Sequence, residues 1–321
     1  MELTTFFNLL TIIGVLFLVM MIGFWCRKRG TINDVSSNRM SKLIIEVGQP
    51  ALIIGSLAGK QFSFELLREG LLYLAVGFIL HPLMSGIGLL FGRLFPDFEE
   101  RKLSVFALTF TNAAFIGFPI LAAVFPENGV FYGSFFVIGF HVYMWTFGIY
   151  LLSRGRDDIK LTPKKALVNF GTIPCAIGLA LYLLKAVVPM PALVLDTCTY
   201  LGNLCMPISV LVTGALIATQ DLGAIFKNAR LYVFNAIKLI ILPLIVCGIA
   251  KVATLGLANS YELVMFSTVI AALPSAATVA MLAELYNIKP TYAAQTVGSS
   301  SLFSIATLPL LYFLADLVAK L

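Results

Sequence analysis

Charge is scarce in this chain. Of its 321 residues 12% are Asp, Glu, Lys or Arg and two are His, while 60% are apolar. A soluble domain holds apolar residues at about 45–50%, so the composition excludes one and requires an integral membrane protein. The five cysteines, Cys26, Cys175, Cys198, Cys205 and Cys247, form no C-x-x-C, and four sit in apolar runs. Neither a thiolate metal site nor a disulfide framework is predicted. A membrane-embedded enzyme would need a nucleophile with its base, or acids and histidines at metal-ligand spacing. His81 and His141 lie far apart and no such constellation is present, so no catalytic residue, metal or cofactor is expected. A soluble appendage has no room, since the longest polar link is about seventeen residues. The first apolar run follows MELTT, with Glu2 and no basic residue, and precedes no small-residue cleavage site. It is expected to stay as a helix rather than leave as a signal peptide.

What the chain does have is apolar length. Ten stretches, at 5–25, 43–58, 67–92, 103–124, 128–152, 166–186, 192–219, 229–253, 261–285 and 290–316, come close to or exceed the roughly 18–20 residues that cross a hydrocarbon core of about 30 Å. The links after the odd-numbered stretches carry sixteen Lys and Arg, among them Arg27, Lys28, Arg29, Arg154, Lys160 and Lys164; the other side carries five, namely Lys60, Arg68, Lys185, Lys251 and Lys320. The basic links are therefore expected in the cytoplasm and both termini outside the cell membrane. That bias accounts for the net charge of +6 without any nucleic-acid partner.

Special residues recur at a nearly constant offset. Pro50 matches Pro207 after 157 positions, Pro82 matches Pro243 after 161, and Asn112 meets Pro274 after 162. Each offset is about half the chain, as a duplication would leave. Five spans per half force the second half to enter the membrane upside down, an inverted repeat of the kind found in secondary transporters. The predicted fold class is all-α integral membrane, with ten transmembrane helices, two inverted five-helix repeats, and crossed broken helices 4 and 9. The first repeat takes 1–153, a cytoplasmic linker 154–165, and the second repeat 166–321.

Within ALTFTNAAFIGFPILAAVF (107–125), the polar Thr109, Thr111 and Asn112 precede Gly117 and Pro119. At about 1.5 Å per residue, Asn112 lies roughly 14 Å deep, near the middle of the core. Pro274, in VIAALPSAATVAMLAELY, lies near the middle of the ninth stretch and removes one amide hydrogen from its helix. Two interrupted, inverted helices can cross at their breaks and pool the freed backbone groups. The downstream halves present amides with partial positive charge, which suit an anion; the upstream halves present carbonyls, which leave sodium open. Asn112, Thr111 and Ser275 add side-chain donors and acceptors there, unless they only join helices to one another.

The segments TNAAFIGFPIL, ALPSAATVAMLAELYN and SSSLFSIATLPLL resemble the auxin efflux carrier family, which includes plant PIN-FORMED carriers and bacterial permeases proposed to move malate, malonate and similar acids. NFGTIPCAIGLAL and LGNLCMPISVLVTGALIA fit as well, so the likeness covers nearly the whole chain. The resemblance implies a fold similar to bile-acid/sodium symporters: a scaffold of helices 1, 2, 6 and 7, a moving core of helices 3–5 and 8–10, an elevator motion and a homodimer. It places the family asparagine at Asn112 and the family proline at Pro274. Thr111 stands where plant members carry proline, which predicts a softer break in helix 4. The implied function is secondary transport of small organic anions, with sodium- or proton-coupled symport of the bile-acid type as the alternative.

Other polar residues fall within apolar runs. Lys238, in NAIKLIILPL, is open to three fates: pairing with a substrate carboxylate, losing its proton during transport, or extending its stem to the cytoplasmic interface. His141 and His81 are near the midplane, either titrating or packed. Gln49 before Pro50 and Asn203 before Pro207 are candidate substrate contacts, whereas Glu46, Asp196 and Glu284 are expected at the interface. The spacings of Gly55 with Gly59 and Gly88 with Gly92 read as close helix packing.

Overall fold

A computed structural model describes residues 3–156, 168, 171–220 and 222–321. Positions 157–165 of the predicted linker, with Lys160, Lys164 and Lys165, and positions 166–167, 169 and 170 at the start of the predicted sixth span lie outside the described residues. The described chain is helical, with no strand beyond one isolated bridge. Among the described residues seven helices are long and apolar enough to cross a membrane. They are α1 (Leu3–Lys28), α2 (Asp34–Ala58), α3 (Phe64–Gly92), α6 (Gly129–Ser153), α8 (Ala192–Thr219), α9 (Ala229–Ala253) and α12 (Pro290–Lys320). Between them lie shorter helices: α4 (Phe98–Thr109), α5 (113–124), α7 (Thr172–Leu184), α10 (Ser260–Ala272) and α11 (Ala277–Leu285). The fourth and ninth apolar stretches are thus each two helices, split at 110–112 and 273–276.

One boundary differs from the sequence expectation. The second helix begins at Asp34 rather than at 43, because Asn33 forms a capping box with Ser36: its side chain accepts from the Ser36 amide, and the Ser36 hydroxyl accepts from the Asn33 amide. That reciprocal pair satisfies two orphan donors at a helix start, enough to carry the helix through polar residues that composition alone assigns to a link.

Prolines shape the helices in two ways. Pro82 and Pro309 sit inside regular helix. Pro50, Pro119 and Pro243 instead follow five-residue π-turns, Ile44–Gly48, Ala113–Gly117 and Ile237–Ile241. A π-turn widens the helix where proline lacks an amide and its ring crowds the preceding turn. A fourth π-turn, Met144–Gly148, lies in α6.

By proximity the chain forms two compact units, each drawing on both halves of the sequence. The first unit contains the described residues up to Leu18, then Leu80–Ala113 and Leu216–Leu321. In it α10 packs on both α9 and α12, around Phe106, Phe110, Phe234 and Phe266, all fully buried. Gly88 and Gly92 pack against Val105, as their spacing predicts. The second unit contains Val19–Ile79 and Ala114–Ala215. There α2 packs against α7 and α8, with Ile53, Phe131, Phe136 and Tyr182 in the core. Gly23 and Gly214 bring two backbones together: a Cβ on Gly214 would lie 1.9 Å from the Met20 carbonyl oxygen, and one on Gly23 2.1 Å from that of Leu211. Small residues permit such approach where lipid supplies no hydrophobic drive.

The start of α4 carries a pH-linked contribution. Asp97 caps it, accepting from the Glu100 amide at 2.9 Å, and pairs with Lys289 at 3.5 Å. The Glu100 amide is the main cause that holds the Asp97 carboxyl below its ordinary range, against a smaller opposing effect of burial. A depressed folded pKa gives stability that is present above the unfolded value of about 3.9 and lost as pH falls through the folded value. Asp97→Ala is expected to cost about 1 kcal/mol at neutral pH, as cap removal does. Thermal melts of both proteins should converge as pH is lowered below about 4.

Candidate functional site

The site is built where α4 and α10 stop. Pro274 cannot continue α10, and it drives the residue before it into extended geometry, with Leu273 at φ −63°, ψ 150°. At the end of α4 Phe110 is likewise extended, at φ −98°, ψ 111°. The two extended pieces meet as an antiparallel pair, with Thr111 opposite Ser275. The Asn112 amide donates to the Pro274 carbonyl at 2.8 Å, and the Ala276 amide to the Phe110 carbonyl at 2.9 Å. The break at Thr111 is therefore complete without a local proline. The pairing itself supplies the partners that the helix gives up.

A helix end leaves its last four carbonyls without intrahelical donors, and at this depth each needs a protein partner. At the end of α4 the Phe106 carbonyl takes the Phe110 amide at 2.9 Å. The Ala107 carbonyl takes the Ser275 hydroxyl at 3.0 Å, and the Leu108 carbonyl takes Lys238 Nζ at 3.1 Å. The Ser275 amide donates to Ser300 Oγ at 3.1 Å. Thr109 is satisfied within its own helix, donating to Val105.

Lys238 is fully buried. The snorkelling fate is corrected: its Nζ does not leave for the interface but turns inward onto the Leu108 carbonyl. The residue sits in the π-turn of α9, and the wider turn carries its stem toward the α4 terminus; such turns are frequent at functional sites. One turn earlier, Asn235 donates to Ser299 Oγ at 2.9 Å while its Oδ1, also buried, accepts nothing among the described residues.

Several polar groups at the break are kept in reserve. Thr111 is fully buried and its hydroxyl has no hydrogen-bond partner among the described residues. Asn112 is 4% exposed, its backbone amide is taken by the Pro274 carbonyl, and its side-chain amide makes no hydrogen bond among the described residues. Thr278, in the first turn of α11, has a buried hydroxyl in the same condition. A buried hydroxyl without a partner costs about 1–3 kcal/mol, and such groups call for an explanation beyond packing. Amides of the first turn of α11 point the same way as its positive dipole end.

The structure thus brings together Thr111, Asn112, Pro274, Ser275 and Lys238, all in the first unit. His81 is fully buried there, its ring stacked on Phe110 at 5.9 Å. Gln49, Asn203 and His141 belong to the second unit. Gln49 is buried, Asn203 is exposed at the end of the first helical stretch of α8, and His141 lies against the Gly171 backbone, where a Cβ would approach its ring to 1.9 Å. Glu46, Asp196 and Glu284 are exposed. Asn235 and Ser300 were not singled out from sequence. The signal for them was there: an Asn three residues before the buried Lys, and three consecutive serines in an apolar helix.

Interrupted helices that pool their ends around buried, uncommitted polar groups are the mark of a membrane carrier. Family comparison agrees, with the membrane transport protein model matching residues 9–165 and again 156–312. The chain belongs to that family, the auxin efflux carriers. It is 23% identical over 304 residues to an uncharacterized transporter of Methanothermobacter thermautotrophicus, covering 94% of this chain and 96% of that protein.

Proposed function

We propose that the protein is a secondary transporter of small organic anions, carboxylates above all, working by alternating access around the paired breaks. The observation that carries this reading is the composition of the break: one fully buried lysine, a buried Thr111 hydroxyl with no partner among the described residues, and the Asn112 side chain beside it, with no carboxylate among the described residues that bond there. A buried cation without an acidic partner favours a negatively charged guest. In this reading Asn112, Thr111, Ser275 and the Pro274 break hold the substrate and Lys238 supplies charge.

The architecture we propose is ten spans in two inverted five-helix repeats, supported by the two successive family matches and the proline offsets. The elevator motion of helices 3–5 and 8–10 on a scaffold of helices 1, 2, 6 and 7, and the homodimer, follow from the family resemblance. The distribution of basic residues supports a place in the cell membrane with both termini external. The partners are the anion and the bilayer, and the role is that of a carrier rather than an enzyme.

The reading is tested by exchanging the lysine for an apolar residue of similar length. In Lys238→Met, binding of a carboxylate found by thermal-shift screening should weaken by about 10- to 100-fold, the range of a lost charge-assisted hydrogen bond. A neutral amide analogue should change far less. Equal losses for both ligands would refute charge pairing.

A further inference from the structure

Among the described residues, the acids of the helices that pack around the α4 terminus have the following partners and places. On α4, Glu99 pairs with Lys102 at 3.0 Å and Glu100 with Arg230 at 2.8 Å. On α12, Asp316 pairs with Lys320 at 2.9 Å and accepts from Tyr261 at 2.7 Å. Glu262 stands in the first turn of α10 and Glu284 near the end of α11, far along their helices from the break. None of these acids bonds to Lys238, whose side chain, among the described residues, donates to a carbonyl.

The position of that carbonyl matters. The C-terminal end of a helix carries roughly half a negative charge, concentrated on its last carbonyls. In carriers with interrupted helices, such ends are where a coupling cation is held by backbone oxygens. Here the Leu108 oxygen is taken by Nζ and the neighbouring Ala107 oxygen by the Ser275 hydroxyl. Two of the carbonyls that a mobile ion would use at this helix end therefore already have donors, and one of those donors is an amino group.

We propose that Lys238 is the carrier's resident cation: it occupies the place at the α4 terminus that a coupling sodium ion would hold, and transport here needs no sodium. The proposal rests on the organic-anion reading above and deepens it by naming the counter-charge. Moving a net charge through hydrocarbon is costly. One fixed positive charge with one bound monocarboxylate makes a neutral pair, so the substrate's charge is balanced without a second solute.

The experiment uses the purified full-length protein in detergent and sodium ion alone as the probe. Melting is followed in sodium chloride and in N-methylglucamine chloride at equal ionic strength, for wild type and for Lys238→Ala, with Lys238→Met as the second variant. Wild type should melt at the same temperature in both salts. Lys238→Ala, which vacates the Leu108 oxygen, should be raised by sodium by about 2 °C or more, while Lys238→Met, whose side chain fills the space, should gain less. If Lys238→Ala does not fold, the wild-type comparison still decides. A wild type that is raised by sodium, or a folded Lys238→Ala that gains nothing, overturns the proposal. Uptake by wild type in proteoliposomes should be equal in the two salts, and a tenfold fall without sodium would likewise overturn it. Absence of carboxylate uptake in either salt would defeat the organic-anion reading instead, and the melting comparison would still decide whether the lysine replaces sodium.

Discussion

Asn112→Ala is expected to reduce organic-anion uptake in proteoliposomes by tenfold or more, while the purified protein keeps its size-exclusion profile and melts within about 2 °C of wild type. The two effects separate because the residue does two jobs with different atoms. Its backbone amide holds the Pro274 carbonyl at 2.8 Å, and alanine retains that bond. Its side-chain amide makes no hydrogen bond among the described residues although the residue is 96% buried, being 4% exposed. Truncation therefore removes no hydrogen bond that the described fold uses. Loss of function with an intact fold would place the amide on the substrate. Full uptake by the variant would remove it from the site.

The largest loss of stability is expected at Gly214. Its missing side chain leaves room for the Met20 carbonyl, and Gly23 does the same for Leu211 on the facing backbone. A Cβ 1.9 Å from a carbonyl oxygen meets backbone, which cannot rotate away as a side-chain tip can. Gly214→Val forces α1 and α8 apart along the whole contact and should cost about 3 kcal/mol, the upper end of overpacking penalties, with poor recovery of monodisperse protein. Gly86→Ala, at a position where a Cβ meets nothing within 4 Å, serves as the control and should melt like wild type. A well-behaved Gly214→Val would show that the two helices do not depend on that approach.

The sequence made some of this legible for a local reason. Pro274 breaks a helix by its own covalent structure, so the α10 stop could be read from one residue. The polar cluster at 109–112 marked the second interruption, but not its form. The pairing that completes it comes from Ser275 and Ala276, more than 160 positions away, and no local pattern contains that partner. Lys238 illustrates the same limit. Its depth was visible in NAIKLIILPL, yet whether a long stem reaches water or turns inward depends on which acceptor lies opposite. The acceptor is a main-chain oxygen, which has no identity in a sequence. The start of α2 was missed for a different reason: Asn33 and Ser36 look like a polar link until their reciprocal bonds are seen.

The four π-turns have a consequence for how these helices are read along their length. Each inserts one residue beyond the α ladder, and one residue is about 100° of rotation at 3.6 per turn. In α2, α6 and α9 the residues after the insertion therefore present a face shifted by roughly a quarter turn from the one that a regular spiral would continue. Two positions seven apart that straddle Ile237–Ile241 do not line up, whereas positions eight apart do so more nearly. Asn235, before the insertion, reaches Ser299, and Lys238, within it, reaches Leu108.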